Sequence, residues 1–270
     1  MFPARRSGFA AGSQIASRYS VKTNGSQPKK ILSVDIGGTK IKFLASGETE
    51  PRKIESGDEL SPAEMVERVR KHTRDWRYNA VSIGYPGLVG NHGPLAEPGN
   101  LGPGWVGFDF AAAFECPVRI TNDAAMQALG SYDGGRMLFL GLGTGVGSVL
   151  IVDHSLLQLE LGELWYKRGK TLSRRLGRKA LEKAGRSRWR ERVLELVPSL
   201  QRAFLADYVV LGGGNSKLIR EPLPPGVRLG HNLTAFRGGY RLWGIEDLQT
   251  HHVDGGRPGA MATAEAWRVL

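Results

Sequence analysis

Two glycine-rich loops, each reached from an apolar strand and each left through another, constrain this chain more than any other feature. The first is Asp35-Ile36-Gly37-Gly38-Thr39-Lys40, directly after Ile31-Leu32-Ser33-Val34. The second is Gly141-Leu142-Gly143-Thr144-Gly145-Val146-Gly147-Ser148, after Met137-Leu138-Phe139-Leu140. Alternation through Lys40–Ala45 and an apolar run over 147–152 predict that each loop is the turn of a β-hairpin. A plain dinucleotide-binding domain would instead send a helix straight out of its glycine loop. Elsewhere strands alternate with helices, so the chain is α/β. The same strand–loop–strand unit used twice predicts a duplicated fold that grips a phosphate chain from both sides.

The rest of the chain fits this plan. Ser61-Pro62-Ala63-Glu64 is a capping box with proline at the first helical position, predicting a helix to about Trp76 with Met65, Val69, His72 and Trp76 along one face. Val81–Tyr85 reads as a strand stopped by Pro86-Gly87, and a long Gly/Pro/Asn loop runs from Gly90 to Gly107. Loops of that length in a compact domain are usually functional. A short helix near Phe110–Glu115, a strand Val118–Ile120 and a helix from Asp123 through Leu129 come next. In the second half, two basic amphipathic helices are expected over about 171–184 and 188–204. A strand Asp207–Leu211 then feeds a third glycine loop, Gly212-Gly213-Gly214, and a last helix is expected from about Ala235 to Leu248. The expected divisions are a disordered extension over 1–30, an N-terminal α/β lobe over 31–121, a C-terminal α/β lobe over 122–250 and a flexible tail over 251–270. The composition of the extension also suits an organellar transit peptide or a start codon placed too early.

Charge narrows the partners. The chain of 270 residues carries a net charge of +11, and no acid occurs before Asp35. Basic residues crowd the stretch from Lys167 to Arg192, opposed only by Glu182 and Glu191. That stretch is either a solvated helix face or a track for an extended anion. No apolar run approaches the roughly 18 residues of a membrane span, so no membrane partner is expected. Nucleic acid is not expected either, because charge alone supports it. Cys116 is the single cysteine, which excludes an internal disulfide and suits a reducing, cytoplasmic setting.

Gly37, Gly38, Gly143 and Gly145 let backbone N–H groups approach phosphate oxygens without a Cβ in the way, and Thr39 and Thr144 add hydroxyls. Neither loop has the spacing of a Walker A motif. Lys40 either neutralises phosphate or only caps its strand. Asp35 beside a phosphate site makes sense with Mg²⁺ between them. Between the loops lies Thr121-Asn122-Asp123-Ala124, where Asp123 is a candidate base for an attacking hydroxyl; Asn122 or Asp123 can equally cap the next helix. Asn100 and Glu160 are polar groups of the kind that bind sugar hydroxyls.

Together these residues resemble the ROK family of sugar kinases and repressors, within the ribonuclease H-like, actin-like ATPase fold: two α/β lobes with a cleft between them. The resemblance runs from about Ile31 to Trp243. It rests on Asp35-Ile36-Gly37-Gly38-Thr39-Lys40, Tyr85-Pro86-Gly87, Asn100-Leu101 ahead of Trp105, Asn122-Asp123-Ala124, Leu142 through Gly147, Glu160-Leu161-Gly162 and Gly212-Gly213-Gly214. Within the family the chain looks most like the polyphosphate glucokinases. The resemblance implies a kinase that moves a terminal phosphoryl group from polyphosphate, ATP or both to the 6-hydroxyl of a hexose, glucose by default. Asp123 would take the proton, and Asn100, Asn122, Glu160 and Glu163 would line the sugar. The first two loops would cradle phosphate, with Mg²⁺ held indirectly by Asp35. Gly212–Gly214 would sit under a nucleotide or near the polyphosphate path. No zinc is implied, and a homodimer is left open. Two departures bear on the sugar: Glu163 stands where the family has His, and Ser173 where a further acidic ligand is expected. They make a non-catalytic sugar or phosphate sensor on the same fold the alternative.

Overall fold

The computed structural model describes residues 30–220, 222–231, 233–244 and 267–269, with backbone alone at 168, 268 and 269. The expected extension over 1–30 lies outside them apart from Lys30, as does the tail over 251–270 apart from 267–269.

The first half folds as β1 (Ile31–Ile36), β2 (Lys40–Ala45), β3 (Arg52–Glu55), α1 (Pro62–His72), β4 (Ala80–Tyr85), a short ribbon of β5 (Val89–Gly90) and β6 (Gly93–Pro94), α2 (Phe110–Phe114) and β7 (Val118–Asn122). Its sheet has the order β3-β2-β1-β4-β7, antiparallel through β1, β2 and β3 and parallel through β1, β4 and β7. The second half folds as α3 (Asp123–Ser131), β8 (Arg136–Leu142), β9 (Val146–Val152), β10 (Ser155–Leu159), α4 (Leu172–Leu176), α5 (Arg178–Ala184), α6 (Arg186–Ala203), β11 (Tyr208–Gly212), β12 (Val227–Leu229), α7 (Thr234–Arg241) and β13 (Arg268–Val269). Its sheet runs β12-β11-β8-β9-β10-β13, again with an antiparallel meander (β8, β9, β10) and two parallel strands (β11, β12) beside the first. The duplication read from the paired loops is therefore a repeat of sheet order, and each loop is the β1–β2 or β8–β9 hairpin turn.

Local chemistry sets the boundaries. Ser61 Oγ accepts the Glu64 N–H at 3.3 Å and opens α1. The helix stops at His72 rather than Trp76 because Thr73 Oγ1 turns back to donate to Val69 O at 2.9 Å. Trp76 then folds under the sheet, edge-on to Phe43 with ring centres 6.1 Å apart. Met65, Val66 and Val69 are buried beneath α1, each contributing about 1.5–3 kcal/mol. The first of the two predicted basic helices is split at Gly177, where a Cβ would come within 2.6 Å of Ser173 O and would overlap Thr144 O. The last helix ends at Arg241 in place of the expected Leu248; residues 245–248 lie outside the described ones.

Two helices join the halves. A methyl on Gly130 of α3 would overlap Thr234 O, and one on Gly238 of α7 would overlap Met126 O, so their backbones touch. Helix α7 also lies on the first sheet, where Ser82 Oγ donates to Gly239 O at 2.6 Å. The buried Arg241 guanidinium donates to Leu129 O and Tyr132 O at 2.6 and 2.7 Å, satisfying carbonyls at the C-terminal end of α3. Among the described residues no helix is long and apolar enough to cross a membrane.

Candidate active site

Asp35 is the last but one residue of β1 and lies in register with Gly84 of β4. Gly84 leaves room beside it: a Cβ there would come within 2.6 Å of Met126 Cε and 3.4 Å of Asp123 Cα. The missing side chain lets the first turn of α3 approach the end of β1, bringing two carboxylates together. Burial, and then the neighbouring Asp35 charge, push the Asp123 carboxyl up to about 7. Burial raises Asp35 too, and Lys42, its partner on β2, draws it back. A carboxyl poised near neutrality at a strand–helix junction has the form of a general base.

Of the two readings of Asn122-Asp123, capping falls to Asn122. Asn122 Oδ1 accepts the Ala124 and Ala125 N–H groups at 2.9 and 3.2 Å, and its Nδ2 donates to Gly87 O at 3.0 Å. Asn122 is thus the cap of α3, with its amide engaged on both sides. Asp123 comes next as the first helical residue, one oxygen accepting the Ala124 N–H at 2.8 Å. On the far side of this turn, a Cβ on Gly147 would come within 2.9 Å of Ala124 Cβ. The N-terminus of α3 is therefore pressed between β4 of one half and β9 of the other, with both glycine loops beside it.

In the first loop, Gly37 N–H donates to Lys40 O at 3.1 Å and closes the turn. A methyl on Gly38 would overlap the Asn100 amide, so the long loop delivers Asn100 onto this turn. That loop is braced: Tyr85 Oη donates to Ala96 O at 2.8 Å, and the Glu97 carboxylate accepts the Trp105 and Val106 N–H groups at 3.0 and 3.2 Å. Those donors hold Glu97 below the usual carboxylate range. Thr39 is exposed at the tip. Lys40 pairs with Glu55 at 3.3 Å across β2–β3.

The second loop is tied to α5 and to the third loop. Gly143 N–H donates to Gly145 O at 3.1 Å; Arg178 N–H donates to Gly143 O and Thr144 O at 3.0 and 3.2 Å; Asn215 Nδ2 donates to Gly143 O at 3.1 Å. Thr144 stays exposed. The third loop locks in beneath: Gly213, with φ of 79°, lies against the Leu142 backbone and donates its N–H to Gln127 Oε1 at 3.3 Å. Gly212 abuts the Phe139 ring, and Gly214 faces open space. Gln127 and Asn215 escape a sequence reading; the one available signal is that Gln127 lies a helical turn beyond Asp123, on the same face.

Glu160 precedes and Glu163 ends the turn Leu161–Glu163; both are exposed, while Gly162 between them is buried. Glu163 N–H donates to Glu160 O at 3.0 Å. Ser173, where an acid was expected, accepts the Val146 N–H at 3.2 Å. No group of three or more His, Cys, Asp or Glu gathers among the described residues. Mg²⁺ needs no such cage; one or two carboxylates plus substrate phosphates suffice, and the buried Asp35 carboxyl at the end of β1, beside the first glycine turn, fits that donor set.

The chain matches the model of the ROK family over residues 31–162. It is 25% identical over 209 residues to the polyphosphate glucokinase of Mycobacterium tuberculosis (strain ATCC 25177 / H37Ra), covering 69% of this chain and 78% of that protein. Its fold resembles that of the inorganic polyphosphate/ATP-glucomannokinase from Arthrobacter sp. strain KM, with TM-score 0.64, 22% identity and coverage of 77% and 96%. It also resembles a ROK family transcriptional regulator homologous to the MLC protein of E. coli, with TM-score 0.61, 16% identity and coverage of 79% and 77%. The expected ribonuclease H-like, actin-like fold of two α/β lobes is borne out.

Proposed function

We propose, from the match of residues 31–162 to the ROK family model and the likeness to polyphosphate glucokinases, that the chain is a sugar kinase transferring the terminal phosphoryl group of polyphosphate, ATP or both to the 6-hydroxyl of a hexose, glucose first. The observation that carries this is Asp123: a carboxyl raised to about 7 by burial and by Asp35, at the N-terminus of a helix pressed between β4 and β9. In this reading Asp123 takes the proton of the attacking hydroxyl as the hydroxyl oxygen bonds to the terminal phosphorus and the bond to the bridging oxygen breaks. Backbone N–H groups and threonine hydroxyls of both loops neutralise the phosphate oxygens. Mg²⁺, held beside Asp35, would supply charge neutralisation to the donor. Asn100, Asn122, Glu160 and Glu163 orient the sugar, Asn122 chiefly by fixing the start of α3.

Polyphosphate is favoured as donor by the surface next to the second loop. Arg174, Arg178, Lys179, Lys183, Arg186 and Arg188 are exposed and form no salt bridge with a described residue. The surface starts at the phosphate loop, since Arg178 N–H is bonded to Gly143 and Thr144. A long polyanion displacing counterions from such a row gives steep salt dependence. The test is the purified protein with a panel of hexoses, each against ATP and polyphosphate, with and without Mg²⁺. Hexose 6-phosphate formed with polyphosphate, more salt-sensitive than with ATP, supports the reading. Sugar binding without transfer from either donor supports the sensor reading, which Glu163 in place of the family's His favours.

A further inference from the structure

The turn carrying Glu160 and Glu163 is fastened to the second glycine loop by two serines. Ser148 in β9 donates its Oγ to Leu159 O at 2.8 Å and accepts the Leu161 N–H at 3.0 Å, gripping the chain on both sides of Glu160. Ser173 in α4 works from the opposite side. Its Oγ accepts the Val146 N–H at 3.2 Å. A Cβ on Gly145 would come within 3.0 Å of that oxygen. A Cβ on Gly162 would collide with it and would come within 2.8 Å of Val146 O. The exit of the turn is held by the same helix, Leu172 N–H donating to Leu164 O at 3.0 Å. One hydroxyl therefore touches the glycine loop and the glutamate turn together.

From this geometry we infer that Ser173 is a positioning residue that couples sugar binding to donor binding. The inference rests on the proposed function: the loop Gly143–Val146 holds donor phosphate and the turn Glu160–Glu163 holds sugar. A sugar that fixes the turn fixes Gly162, and Gly162 bears directly on the Ser173 hydroxyl and on Val146 O. Ordering passes to the Val146 N–H and to Gly145, which belong to the donor loop. Because coupling of two binding sites is reciprocal, donor tightens sugar by the factor by which sugar tightens donor.

The test uses the full chain with Asp123→Asn, so that neither ligand turns over, and calorimetric titration of magnesium tripolyphosphate with and without saturating hexose, the hexose being the one the wild type phosphorylates best. The parent is expected to bind tripolyphosphate about fivefold or more tighter when the sugar is present, the lower end of ordinary coupling. Adding Ser173→Ala should shrink that ratio below about twofold while each ligand alone binds within about threefold of the parent. Ser173→Cys fills the same space with a weak acceptor and should lose coupling in the same way, which serves if the alanine variant does not fold. A parent ratio of one, or a full ratio kept in the Ser173 variants, overturns the inference alone. A parent that binds neither ligand overturns the proposed function beneath it.

Discussion

Replacing Asp123 with Asn should have two effects of opposite sign: transfer is lost and the fold gains stability at neutral pH. The Asp123 carboxyl is pushed from 3.8 to about 7 by burial and by Asp35. Between those values the folded chain holds a proton that the unfolded chain has released. Stability therefore falls as pH rises through that window, and the full penalty is present above about pH 7. A rise of about three pH units at 1.36 kcal/mol each sets an upper bound near 4 kcal/mol. Asp123 is only half-buried, so solvent reaches part of the side chain and brings the expected gain to the order of 2 kcal/mol. Asparagine is uncharged, and its oxygen can still accept the Ala124 N–H that Asp123 accepts at 2.8 Å. At roughly 2–4 °C per kcal/mol, the variant should melt about 5 °C higher at pH 8, with the difference fading towards pH 4. Turnover should fall by about 10²–10⁴, the usual worth of a positioned base. Melting curves of both proteins at pH 8 and pH 4, beside initial rates at pH 8, decide the matter. A lower midpoint at pH 8 or an equal shift at both pH values would mean that Asp123 carries no buried-charge penalty, and retained turnover that it is not the base.

Asp35→Asn removes the charge that helps raise Asp123, so the acidic limb of kcat/KM should move to lower pH, and the Mg²⁺ concentration needed for half-maximal rate should rise severalfold. Gly38→Ala places a methyl on the Asn100 amide and should raise KM for sugar about tenfold with the circular dichroism spectrum unchanged. Lys179→Ala with Lys183→Ala should weaken polyphosphate use more than ATP use and flatten the salt dependence of the polyphosphate reaction by about two in log–log slope. Glu163→His should improve kcat/KM for glucose; an unchanged value would place Glu163 outside the sugar subsite.

Much of the fold was legible because its signals are local. Alternation over Lys40–Ala45 and the glycines at 37–38 and 143–145 announce hairpins, and Ser61-Pro62 announces α1. What escaped depends on contacts far apart in sequence. Strand β10 comes after a turn at Asp153-His154, both with positive φ, 45° and 61°. Such a turn normally advertises itself with glycine or asparagine, and here the sequence offers no glycine. Gly177 breaks a basic helical pattern because the Thr144 loop crosses it, which no periodicity reveals. The candidate base was legible as a residue, since Asn-Asp before an apolar run is a cap signal. Its environment was not, because the approach of Asp123 to Asp35 needs the Asp35–Gly84 register and the empty space at Gly84. The roles of Lys40, Ser148 and Ser173 likewise come from partners on other elements: Glu55 for Lys40, Leu159 and Leu161 for Ser148, and Val146 and Gly162 for Ser173.

Transfer of a phosphoryl group onto a hexose from a site built around Asp123 can be observed as it happens. Phosphorus NMR of the purified protein with glucose, polyphosphate and Mg²⁺ tests it most directly. The wild type should give a growing hexose 6-phosphate monoester signal and Asp123→Asn none. Orthophosphate without sugar ester, or sugar ester formed equally by both proteins, would contradict it.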